Sequence, residues 1–130
     1  MVLERECQPG RVGVLLGGPS SEREISIKSG KAVSRALRSR GVEVVEIGIE
    51  EEVREGLARE ALDAAFVVLH GRFGEDGQVQ ALLGKMGVPY TGSGVEASRL
   101  ALDKAASRAV FRGCGLPVPE TVLVRNGSAP

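Results

Sequence analysis

Residues Arg11 to Gly18 read RVGVLLGG, an apolar run of strand length that stops at two glycines. A run this short and this apolar suits a buried strand, and the glycine pair marks where the chain leaves the sheet. Downstream, Ile25, Ser29, Ala32, Val33, Ala36 and Leu37 recur at helical spacing, with Lys and Arg on the other faces. That pattern predicts an amphipathic helix. Gly41, just past a basic last turn, supplies its stop. Val42 to Ile49 then reads as a second strand, and Glu50 to Leu62, acidic at its start, as a helix favoured by its dipole. Ala64 to Leu69 (AAFVVL) is a second strongly apolar run and predicts a third strand, ending at His70 and a loop with three glycines.

Beyond that loop the alternation continues. Gln78 to Met86 predicts a helix with Val79, Leu82, Leu83 and Met86 on one side, and Val88-Pro89-Tyr90 a short extended segment. Gly92-Ser93-Gly94 turns into another helical stretch. Asp103 to Arg112 predicts a last helix, closed by Gly113 and Gly115. Strands alternating with helices through glycine loops imply an α/β fold: a doubly wound, Rossmann-like parallel sheet with right-handed crossovers and helices on both faces. After Pro117 and Pro119, Thr121 to Val124 is expected to be the first strand of a following domain. The turn-rich end Asn126 to Pro130 makes the tail look cut.

Bulk composition narrows the function classes. Lys plus Arg and Asp plus Glu number 17 each, giving a formal net charge of zero. Such a balance gives no general attraction to nucleic acid or to an anionic membrane. Three Phe, one Tyr and no Trp leave little material for base stacking. The polar start, Met1 to Gly10, lacks the apolar core of a signal peptide, and no apolar run approaches the ~18 residues of a membrane span. Cys7 and Cys114 form no metal-binding spacing and are expected to be free thiols in a reducing compartment. The expected location is the cytoplasm, with neither nucleic acid nor membrane as a partner.

In open parallel sheets, ligands bind beyond the carboxyl ends of the strands. The loop GGPSSEREIS (residues 17–26) follows the first strand and is not a P-loop, since GxxxxGK[ST] is absent. Glu22 and Glu24 oppose an anion there and suit a cation such as the ammonium of an amino acid. The alternative is that Ser20, Ser21 or Ser26 caps the helix while the acids favour its dipole. The loop HGRFGEDGQ (residues 70–78) holds the chain's one histidine. His70 can hydrogen-bond a substrate carboxylate or relay a proton, or it can tie down its own loop. Asp76 can cap the next helix, and Glu75-Asp76 can ligate Mg²⁺. Gly92 to Ala97 (GSGVEA) reads as a glycine turn, because no βαβ unit ending in an acid surrounds it. Asp103 is a good N-cap, whereas Lys104 in the first helical turn opposes the macrodipole.

Taken in order, these stretches resemble a known family. The succession GG-x-S-x-E-R-x-[IV]-S (Gly17 to Ser26), HG-x-x-GEDG-x-x-Q (His70 to Gln80), G-[VL]-PYTGSG (Gly87 to Gly94), DK (Asp103-Lys104) and GLPV (Gly115 to Val118) is similar to D-alanine–D-alanine ligase, an ATP-grasp enzyme. The resemblance spans about residues 11–126. It implies that Glu22 orients the ammonium of the first D-alanine, that His70 lies near the substrate carboxylate with Ser26 in the same site, and that Lys104 contacts bound ATP.

The chemistry so implied is a ligation in two steps for peptidoglycan synthesis. The γ-phosphoryl of ATP activates one D-alanine as an acyl phosphate, and the amine of a second displaces phosphate. Mg²⁺ would offset the triphosphate charge, with ligands expected mostly beyond residue 130. The expected division is a substrate-binding domain over residues 1–116 and the start of a central ATP-grasp domain over 117–130, inactive alone. The resemblance also allows a homodimer. Alternatives are a related D-alanine–D-lactate or D-alanine–D-serine ligase and a non-catalytic amino-acid-binding module.

Overall fold

The structure, a computed structural model, describes residues 10–49, 57, 61–122 and 124. Its elements are β1 (Arg11–Gly17), α1 (Arg23–Arg38), β2 (Glu43–Ile49), β3 (Ala64–Val67), α2 (Gln78–Lys85), α3 (Val95–Leu102) and α4 (Lys104–Gly113). The strands form one parallel sheet in the order β2-β1-β3. A parallel bridge between Ala65 and Tyr90 extends it by one position beyond β3. This is the expected α/β sheet, and β1 is its centre, buried along almost its whole length.

Alternation along β1 sends side chains to two cores, one on each face. Val14 and Leu16, with Val68, meet Ile27, Val33 and Leu37 of α1. Leu15, with Ile47 and Ile49 of β2, meets Val79 and Leu83 of α2 and Leu57. Each fully buried Leu or Val contributes roughly 1.5–3 kcal/mol. Helices therefore cover both faces, as the alternating sequence predicts. Among the described residues no helix is long and apolar enough to cross a membrane.

Three details differ from expectation. The inward stripe of α1 is only partly the expected apolar set: Val33 and Leu37 pack on the core, but Ile25 is 60% exposed and Ala32 and Ala36 are exposed too. Its buried residues are Ser26, Gly30 and Ser34, four apart. Small residues let the helix approach β1 closely: a Cβ on Gly30 would fall 2.7 Å from Leu16 Cβ. The expected helix over Glu50 to Leu62 lies largely outside the described residues; Leu57 is helical, and Ala61-Leu62 are not. Thr121, Val122 and Val124 form no strand. A strand needs a neighbouring ladder, and these exposed residues pair with none of the described strands.

Candidate functional site

With β1 central, the chain leaves β1 toward β2 on one side and returns to β3 on the other. The loops after β1 and β3 diverge at that point and open a crevice at the carboxyl ends of the strands. Glu22 and His70 sit on these two loops.

The first loop begins with Gly17 and Gly18, at φ +88° and +87°. Gly18 N–H donates to Ile49 C=O at 2.9 Å, fastening the turn to the end of β2. Glu22 occupies the N-cap position of α1 with no side-chain cap bond. None of the three serines caps the helix. Ser20 Oγ instead accepts from Glu22 N–H at 3.2 Å. The Glu22 carboxylate is exposed and leans on the second loop, with Oε2 3.2 Å from where a Cβ on Gly71 would sit.

Two residues of the first turn of α1 hold this arrangement. Ser26 is fully buried; its hydroxyl accepts from Gly17 N–H at 2.9 Å and donates to Val68 C=O at 2.6 Å. With no exposed surface and both bonds made within the protein, Ser26 ties the end of β1 to the end of β3 and offers no face to a ligand. Arg23 Nη1 donates to Ile49 C=O at 3.0 Å and lies 3.4 Å from Gly18 C=O, linking the same loop to β2. Sequence reasoning passed over Arg23, although it stands inside the first motif.

The second loop is shaped by its own acids. Glu75 Oε2 accepts from Gly71 N–H at 2.7 Å. Asp76 accepts from Phe73 N–H at 2.9 Å, Gln78 N–H at 3.1 Å and Gln78 Nε2 at 2.7 Å. Burial raises the Asp76 pKa, but these donors outweigh it and hold the carboxyl below its ordinary range. Gly77 is the N-cap residue of α2, so Asp76 serves that helix from one residue upstream. Phe73 adopts φ +73°, uncommon for a residue with a β-carbon, and its ring packs on the core.

His70 is half-buried in the wall of a cavity of about 540 Å³ between the end of β3, this loop and α3. Thr91, Ser93 and Ser98 line its far side. Lys104 stands apart as the exposed first residue of α4, and Asp103 caps that helix through Ala105 N–H at 3.0 Å and Ala106 N–H at 2.9 Å. The fold thus gathers Glu22 against the His70-Gly71 turn, puts Ser26 beneath them, and leaves Lys104 without a bond to any of the three. Among the described residues no three His, Cys, Asp or Glu side chains form a metal site, and Glu75 and Asp76 are bonded to loop amides. These residues do not fit a Mg²⁺ site. Cys114 is free and exposed; Cys7 lies outside the described residues.

The sequence pattern of the D-ala D-ala ligase N-terminus matches residues 11–55 and 51–93 of this chain. The chain belongs to that family. It is 51% identical over 119 residues to the D-alanine–D-alanine ligase of Desulforudis audaxviator, across 92% of this chain and 39% of that protein. It is 53% identical over 115 residues to the ligase of Pseudomonas entomophila, across 88% of this chain and 36% of that one. Among solved structures, the D-alanine–D-alanine ligase of Bacillus anthracis complexed with ATP superposes with a TM-score of 0.83 at 34% identity, covering 93% of this chain and 42% of its own. The chain therefore spans about two fifths of the length of such ligases. Both crevice loops, Gly17 to Glu22 and His70 to Gly77, fall within the stretch matched to the ligase N-terminus.

Proposed function

We propose that this chain supplies the first D-alanine site of a cytoplasmic, ATP-dependent D-alanine–D-alanine ligase serving peptidoglycan synthesis. The observation that carries the reading is the exposed Glu22 carboxylate set against the His70-Gly71 turn at the crevice between β1 and β3. A carboxylate and an imidazole at one crevice match the two ends of an amino-acid zwitterion. Glu22 takes the ammonium, and His70 donates a hydrogen bond toward the carboxylate that ATP activates. Ser26 acts on Glu22 from beneath as a positioning residue. Lys104 meets a phosphate of ATP as a mobile point charge. Residues 1–116 form the substrate-binding domain, and residues 117–130 lead into the ATP-grasp domain, which holds any Mg²⁺. Without that part the chain forms no dipeptide. A homodimer is the proposed assembly.

A hybrid in which this chain replaces the matching two fifths of the Desulforudis ligase tests the reading. It should make D-alanyl-D-alanine with release of ADP and phosphate. Glu22→Gln in that hybrid should raise KM for the first D-alanine by about tenfold or more, with the second site little changed. Unchanged kinetics at both sites would leave Glu22 as a residue of the helix dipole only.

A further inference from the structure

Gln80, in the first turn of α2, plays no part in the reading above, yet it is only 5% exposed. Its Nε2 donates to Gly74 C=O at 2.8 Å, while its buried Oε1 has no hydrogen-bond partner. Leucine or methionine would fill the same space without stranding an acceptor, and a stranded acceptor opposes folding. The amide is thus explained by its donor end, which grips Gly74. Gly74 in turn lies directly on Leu69: a Cβ there would fall 2.5 Å from Leu69 Cβ and 2.6 Å from its carbonyl carbon. Leu69 is buried and immediately precedes His70. Glu75 and Asp76 bond the loop to itself and to the start of α2. Gln80 reaches its middle, and Gln80, Gly74, Leu69 and His70 share one cavity wall.

We propose that Gln80 is a positioning residue for His70, acting through Gly74 and Leu69 to fix the imidazole at the carboxyl end of β3. The consequence for D-alanine rests on the function proposed above; the hold on His70 does not. Because His70 is the chain's one histidine, its ring C–H signal in a proton NMR spectrum reports on it without ambiguity.

Gln80→Met keeps the side-chain length and removes the donor. In the 130-residue chain it should broaden the His70 signal or move it toward that of free histidine, with the melting temperature within about 4 °C of the parent. In the hybrid ligase it should raise KM for the first D-alanine about tenfold, with kcat and KM for ATP within about threefold. Gln80→Asn keeps an amide one methylene too short to reach Gly74, and gives the same result if the methionine variant does not fold. An unmoved His70 signal in either folded variant overturns the proposal, whatever the melting temperature does. A moved signal with unchanged KM upholds the hold on His70 and removes His70 from the D-alanine site.

Discussion

Ser26→Ala tests the joint on which the crevice rests. The hydroxyl serves two buried backbone groups, Gly17 N–H at 2.9 Å and Val68 C=O at 2.6 Å. Alanine leaves both without a partner, at a cost of about 1–3 kcal/mol each. Better helix propensity returns about 0.5 kcal/mol, so the net loss is about 1.5–5.5 kcal/mol. The assay is urea unfolding of parent and variant followed by circular dichroism. With a slope of about 1.5 kcal/mol per molar urea, the midpoint should fall by about 1–3.7 M. A fall of less than about 0.3 M would mean that Gly17 and Val68 find other partners, and that Ser26 does not join β1 to β3.

Other expectations follow from packing, capping and titration. Gly30→Ala gains up to about 1 kcal/mol of helix propensity but drives a Cβ to 2.7 Å from Leu16 Cβ, an overpacking costing about 1–3 kcal/mol; a variant with a raised melting temperature would contradict the close approach of α1. Asp103→Ala removes the cap of α4 and should cost about 1 kcal/mol, read from thermal unfolding. The folded-state pKa of Asp76 lies below its unfolded value, near ~3.9. Its contribution is therefore complete above about pH 4 and is lost as pH falls through the lowered value. Asp76→Asn should flatten the acid side of the stability profile measured by urea midpoints, and parallel profiles would assign that slope to other carboxylates.

Where one signal decided the outcome, the sequence was easy to read. RVGVLL and the first four residues of AAFVVL form strands as their short, apolar, glycine-bounded runs suggest, although β3 ends at Val67 and not at Leu69. The glycines after each mark the crevice loops. Asp103 reads as a cap because a short carboxylate before a helical run has amides to accept from. The most buried line of α1 was hidden because Ser26, Gly30 and Ser34 are small, and a hydrophobicity pattern weighs area, not closeness of approach. Ser26 was misplaced as a ligand contact for the same reason: its motif marks it, but only the backbone path shows Gly17 and Val68 converging on its hydroxyl. Arg23 and Gln80 escaped notice because their partners are carbonyls of residues 49 and 74. Carbonyl partners leave no trace in side-chain identity.

Parallel pairing gives the sheet two unlike rims. At the carboxyl rim, three left-handed glycines are hemmed in, although Gly92 is not: Gly17 faces the Arg23 guanidinium, Gly71 the Glu22 carboxylate and Gly77 the Val95 carbonyl. At the amino rim, Gly41 and Gly87 have equally left-handed backbones but nothing within 4 Å of an added Cβ. Inserted peptides, dyes or surface tethers belong at those two turns, where added atoms extend into solvent and leave the crevice undisturbed. At these two turns added atoms meet open space, whereas at Gly17, Gly71 and Gly77 they would meet the crevice loops.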